Sequence, residues 1–255
     1  MKNELVVDNL NYGILHDIDL ALTESSVNAL IGNSASGKTT LLKCIAGIPR
    51  NFNNIKLKGN VIPKSNLGVF LGLANLSRKP VLENIMEPLL NIGVSHLKAK
   101  NKVYKSTKKL EIENLVYRKI EELSYSEKIM VAFCKSIIND PNIILLDNLF
   151  DSLDQKYKQN VINYLEDLKE KNNAIIIYTT NNSEDLINAD SIIVLKKGNI
   201  VAIDKKNKIF ENEEILTKNG YKAPFIIDLS YKLKAYELID DIFYDSKKLI
   251  GELWK

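Results

Sequence analysis

The chain has little of what marks a secreted, membrane-spanning or nucleic-acid-binding protein. It has only two cysteines in 255 residues, Cys44 and Cys134. Each falls in an apolar helical pattern, where core packing is the expectation, and two are too few for a disulfide framework. That usage fits a reducing cytoplasm. No apolar stretch approaches the roughly 20 residues needed to cross a bilayer; the longest runs, Asn142–Leu146 and Ala174–Tyr178, have strand length. The opening MKNELVVDNL lacks the apolar core of a signal peptide. A net charge of +3, spread over 35 basic and 32 acidic residues, leaves no electrostatic case for a nucleic-acid partner. The abundant Asn, Lys and Ile read as compositional bias. What remains is a soluble globular chain long enough for one large α/β domain, or one with a small appendage. Any membrane association must come through a partner.

What is present is a phosphate-binding pattern. Residues 32–40 read GNSASGKTT and complete G-x-x-x-x-G-K-[ST], with Gly32, Gly37, Lys38 and Thr39 at the defining positions. The two glycines let the backbone bend so that successive N–H groups of Asn33, Ser34, Ala35 and Ser36 face one anion. Lys38 brings a point charge to the outer phosphates, and the Thr39 hydroxyl is a magnesium ligand. The apolar run 27–31 leads in as a strand. Thr40 and the following LLKCIAG lead out as a helix whose N-terminus faces the phosphates.

The rest alternates. Residues 4–7 and 17–22 read as strands around a Tyr12-Gly13 turn, and 67–71 as another. From about 73 to 123, VLENIMEPLLNIG and YKSTKKLEIENLVYRKIEEL carry helical spacing, with Lys and Glu on a solvated face. Then follow helix 124–139, strand 142–147, helix 154–171, strand 174–180, helix 183–188, strand 191–195 and a hairpin over 196–203. This order predicts a mainly parallel sheet covered on both faces. Beyond about 204, a helix opening at Pro224 and a second one capped by Asp245 or Ser246 form either a lid or an interaction surface.

An apolar strand ending in acid, NIILLD, delivers Asp147 to the sheet's carboxyl edge, the complement a magnesium-phosphate site needs. Read without the loop upstream, the same aspartate would cap the next turn. With these residues in place, the sequence resembles the ATP-binding cassette (ABC) ATPases over nearly its whole length. LSYSEKIMVAFCKSIINDPNIILLDNLFDSLD (123–154) is similar to the signature helix, Walker B strand and D-loop of that family, and TTNNSEDLINADSIIVLKKGNIV (179–201) to its switch segment and closing hairpin. A closer likeness is to the energy-coupling factor (ECF) branch. AGIPRNFNNIKLKGNV (46–61) and the tail NEEILTKNGYKAPFIIDLSYKL resemble segments of it.

The resemblance implies a P-loop NTPase of cassette type over 1–205, with antiparallel N-terminal strands and a helical subdomain at about 73–123. A helical extension over 206–255 would help to hold two ATPase subunits together. It implies ATP and Mg2+ as ligands, Tyr12 stacking on adenine (or serving as an ordinary turn tyrosine), and Ser124 reaching a partner's ATP. It also implies a second ATPase subunit, an integral membrane partner and a peripheral place on the inner face of the cell membrane.

The departures cluster on the γ-phosphate. The catalytic glutamate position holds Asn148, the switch histidine position Thr180, and the Q-loop glutamine position Leu71, while the signature's two glycines are Tyr125 and Ser126. An amide cannot accept a proton from water, and general-base assistance contributes roughly 10²–10⁴-fold, or about 3–5 kcal/mol of barrier. The expectation is therefore a chain that holds Mg-ATP but hydrolyses it weakly or not at all, paired with a second cassette of intact chemistry for uptake of a vitamin or metal ion. The alternatives are a non-hydrolytic regulatory or structural subunit, or a soluble cassette protein outside transport.

Overall fold

A computed structural model describes residues 4–48, 58–62 and 66–254. In chain order the elements are β1 (Glu4–Tyr12), β2 (Leu15–Thr23), β3 (Ser26–Ile31), α1 (Lys38–Ile45), β4 (Lys58–Ile62), β5 (Leu67–Phe70), α2 (Val81–Asn91), α3 (His96–Lys109), α4 (Tyr125–Ile137) and β6 (Ile143–Leu146). They continue with α5 (Gln155–Asn172), β7 (Ile175–Thr179), β8 (Ser191–Lys196), β9 (Asn199–Lys205), α6 (Lys206–Glu211), α7 (Glu213–Thr217), α8 (Phe225–Ala235) and α9 (Ser246–Leu253). Most of the polar stretch 49–58, and with it much of the ECF-like segment 46–61, lies outside the described residues.

The predicted parallel sheet is present. Its order is β5-β6-β7-β3-β8-β9, every pairing parallel except the closing β8–β9 hairpin. A second, antiparallel sheet, β2-β1-β4, lies beside it. The central strands IILL and IIIYT are buried at every position, as strands covered on both faces must be. Side-chain alternation then divides them between two cores. Ile143, Leu145, Ile175 and Ile177 pack with α1 and the antiparallel sheet. Ile144, Leu146, Ile176 and Tyr178 pack with α2 to α5. Both cysteines are core residues, one in each cluster, and burial pushes their thiols up to about 11 and about 12.

Capping sets the helix starts. Ser124 and Glu127 form a capping box on α4, Asp154 accepts from the Tyr157 amide at 2.9 Å, and Asp245 accepts from that of Lys248 at 3.0 Å. Two expectations need correction. The helical pattern over 104–123 belongs to a helix that begins earlier and stops at Lys109, because Glu111 turns left-handed (φ 55) and two 3₁₀ turns follow, at Glu113–Leu115 and Ile120–Glu122. Leu110, Ile112, Leu115 and Val116 are all buried, a spacing no single helical face provides. The predicted helix at 183–188 is likewise a 3₁₀ turn. Among the described residues no helix is long and apolar enough to cross a membrane.

Candidate phosphate-binding site

β3 ends at Ile31 and α1 begins at Lys38, so the six residues between them must turn the chain from the sheet edge to a helix start. Gly32 is required there: a Cβ on it would lie 2.0 Å from the Leu195 carbonyl oxygen, a backbone atom that cannot step aside. Gly37 sits at φ 108, again glycine territory, and Ala35 takes the left-handed region at φ 60. The Lys38 ammonium folds back over the loop it follows, 2.5 Å from the Gly32 carbonyl and 3.3 Å from that of Asn33. Burial lowers its pKa, and the fields of Asp147 and Asp151 oppose that shift. The β8–β9 turn fastens the loop from the other side, Gly198 N–H donating to the Ser36 carbonyl at 2.9 Å.

A cavity of about 410 Å³ opens over this loop, lined by Ile14, residues 34–40, Asn148 and Asn181. The Thr39 hydroxyl, on its lining, donates to Asp147 Oδ2 at 2.7 Å, so the structure brings the two predicted magnesium ligands into contact. The other carboxylate oxygen accepts from Thr179 Oγ1 at 2.8 Å. The residues fit a magnesium-bound phosphate chain. The Ser36 hydroxyl is buried inside the loop without a partner. Among the described residues no cluster of three or more His, Cys, Asp or Glu forms, and a phosphate-bound Mg2+ needs only one or two carboxylates beside phosphate oxygens and water.

Asn148 takes the left-handed region (φ 50), where asparagine is tolerated. Its N–H donates to Thr179 Oγ1 at 2.8 Å, and its side-chain oxygen lies 3.2 Å from the same hydroxyl, whose proton goes to Asp147. Thr179 thus knots the strand-end acid to the next residue. Thr179→Val removes that acceptor from a part-buried N–H and is expected to destabilise the fold by about 1–3 kcal/mol, read as a lower urea midpoint.

Thr180 lies beside the cavity without lining it. It is fully buried, and its hydroxyl lies between Asp185 Oδ2 at 2.8 Å and Asp151 Oδ1 at 3.0 Å while accepting from the Asn182 amide. Asn181, one residue on, lines the cavity in its place, its amide nitrogen 2.9 Å from Asp151 Oδ2 and 3.5 Å from Asn148 Oδ1. Tyr12 is half-buried against the core of the antiparallel sheet, and Ile14 is the β1–β2 residue that reaches the cavity. Leu71 follows β5, half-buried and outside this cavity; its neighbours Phe70 and Gly72 help to line a separate groove of about 510 Å³ with Pro88 and Lys135. Ser124 is exposed at the start of α4, with Tyr125 beside it 61% exposed.

Sequence reasoning missed Ile14, Asn181, Gly198 and Tyr221. The last is a buried phenol whose hydroxyl lies 3.2 Å from the Gly32 carbonyl and 2.9 Å from that of Thr180. The adjacency of Asn181 to Thr180 and the glycine in the KKG turn were the only local signals for any of them.

A parallel sheet whose β3–α1 turn is a phosphate loop, with an acid at the end of a neighbouring strand, defines the class of P-loop nucleotide-binding folds. A family model described as ABC transporter matches residues 15–151, more than half of the chain, and the protein belongs to that family. The chain is 26% identical to the energy-coupling factor transporter ATP-binding protein EcfA of Malacoplasma penetrans, over 95% of this chain and 88% of that protein. It is 28% identical to EcfA1 of Mesomycoplasma hyopneumoniae, over 97% and 93%. Two solved structures share the fold. cbiO1 from Clostridium perfringens, part of the ABC transporter complex cbiONQ, matches with a TM-score of 0.70 at 21% identity, covering 84% of this chain and 93% of that one. The cassette MJ0796, a dimer bound to ADP and Pi, matches with 0.71 at 22%, covering 79% and 98%.

Proposed function

We propose that the chain is the Mg-ATP-binding ATPase subunit of an ECF-type ABC transporter for a vitamin or metal ion, with little or no hydrolysis of its own. The observation that carries this is the cavity itself. Thr39, hydrogen-bonded to Asp147, lines it together with the amides of Asn148 and Asn181, which supports a magnesium position between the first two. Binding groups are kept, and among the described residues no carboxylate or imidazole lines the wall. The chain works on the inner face of the membrane, attached to an integral membrane subunit. It pairs with a second ATPase subunit so that each ATP lies between one chain's phosphate loop and the other's signature segment, and Ser124 reaches the partner's nucleotide. The helices after residue 205 contribute to holding the pair together. The names of the EcfA relatives and the dimeric cassette with ADP and Pi support this reading.

A non-hydrolytic regulatory subunit is the second reading. It is favoured by Thr180, whose hydroxyl is committed to Asp151 and Asp185 rather than to the cavity. One comparison separates the two: Mg-ATP affinity and phosphate release are measured for the purified chain alone and with the ATPase subunit encoded beside it. The proposal expects micromolar binding alone and turnover only in the pair. Turnover by the lone chain at ordinary enzyme rates, on the order of 1–10 per second, would refute the weak-hydrolysis claim. A pair no faster than the second subunit by itself would favour the regulatory reading.

A further inference from the structure

The C-terminal segment after β9 touches the phosphate loop through one side chain. Tyr221 lies between α7 and α8 and is 5% exposed. Its hydroxyl accepts the Gly32 N–H at 3.3 Å and donates to the Thr180 carbonyl at 2.9 Å, while the Gly32 carbonyl at 3.2 Å is served by Lys38 Nζ. A phenol has one proton to give and lone pairs to accept with, so this arrangement uses it both as donor and as acceptor. It ties the first glycine of the loop to the strand end that carries Asn181, two backbone positions 148 residues apart in sequence.

The neighbours of Tyr221 hold it there. Gly220 takes φ 80 and lies so close to the loop that a Cβ on it would meet Asn33 Oδ1 at 2.7 Å. The Lys222 amide donates to Ser183 Oγ at 3.2 Å, and the Phe225 amide to Glu184 Oε1 at 2.9 Å. Residues 220–225 therefore run as a strap from the phosphate loop along the segment that follows β7.

We infer that Tyr221 is a positioning residue for the nucleotide, fixing the entry of the phosphate loop and the Asn181 wall at one spacing, so that the C-terminal helices set how tightly the site holds its ligand. The inference rests on the Mg-ATP reading above. No contact between Tyr221 and the ligand is needed. Backbone N–H groups grip phosphate only where the loop is held in register, and Gly32 is where that register begins.

The test uses the full chain. Tyr221→Phe keeps the ring and removes the hydroxyl, leaving the Gly32 N–H buried without an acceptor. Mg-ATP affinity, followed by calorimetry, is expected to fall about tenfold, the usual scale for one buried hydrogen bond. Amide hydrogen exchange should quicken together in peptides covering Gly32 and Asn181. Ser230→Ala is the control: it removes a hydroxyl that bridges α8 to Phe243 within the same C-terminal helices and should leave affinity and both peptides unchanged. In the native chain, Mg-ATP should slow exchange over residues 219–222 as well as over the loop, a readout that needs no variant. Native affinity and exchange in Tyr221→Phe, an equal loss in Ser230→Ala, or no ligand protection at 219–222 would each overturn the inference and leave Mg-ATP binding standing. A native chain that does not bind Mg-ATP overturns both.

Discussion

Lys38→Met is expected to weaken Mg-ATP binding by 100-fold or more while the chain stays folded. Lys38 is 8% exposed as a residue, and its ammonium is held over the loop by the carbonyls of Gly32 and Asn33, so its charge is already placed where a β- or γ-phosphate would lie. Burial works against that charge, and Asp147 and Asp151 work for it. A hydrogen bond to a charged group contributes about 1.5–3 kcal/mol, and an ammonium in this position serves two phosphate oxygens. The loss is then about 3–6 kcal/mol, and each 1.4 kcal/mol is tenfold in affinity. Methionine keeps the length and the apolar stem. The carbonyl it abandons at Gly32 loses one hydrogen bond, about 1–3 kcal/mol, so the thermal midpoint without nucleotide should fall by several degrees while the transition stays cooperative. Displacement of a fluorescent ATP analogue measures the affinity. Binding within threefold of the native chain would remove the phosphate loop from the account of function.

What could be read from the sequence follows from how locally each part is encoded. Gly32, Gly37, Lys38 and Thr39 are neighbours in the chain and in space, so their pattern survives as a string. Asp147 was legible because an all-apolar strand must end at a sheet edge. The central strands were legible for the same reason, since β6 and β7 contain nothing but buried positions. Thr180 shows the limit. Spacing places it at the switch position, but the chain turns by one residue at the end of β7. The hydroxyl enters the interior between Asp151 and Asp185, and Asn181 faces the cavity. Tyr12 and Ile14 differ in the same way across the β1–β2 turn. Tyr221 left no local trace, because its role depends on a contact across 189 residues. The helix drawn through 104–123 failed because a periodic pattern carries no mark of the left-handed residue, Glu111, that ends it.

Asn148→Glu is expected to raise ATP turnover at this chain's own phosphate loop by about 10²-fold, the lower end of what general-base assistance contributes. The gain is held to that end because Thr180 and Leu71 remain. The Thr180 hydroxyl is already taken by two carboxylates, and a leucine cannot orient water. The geometry otherwise favours the change. Asn148 lines the cavity beside the magnesium pair, and the Asn181 amide nitrogen 3.5 Å from its side-chain oxygen would donate equally well to a carboxylate. The cost falls on stability, about 1–2 kcal/mol, because glutamate tolerates the left-handed backbone at φ 50 less well than asparagine. The measurement is phosphate release at saturating Mg-ATP from the complex with the second ATPase subunit. That subunit's own phosphate-loop lysine is replaced by methionine, so that only the site built on Lys38 turns over. Mg-ATP affinity within threefold of the native chain establishes that the variant still binds. Turnover unchanged under those conditions would place the block at Thr180 and Leu71 rather than at Asn148.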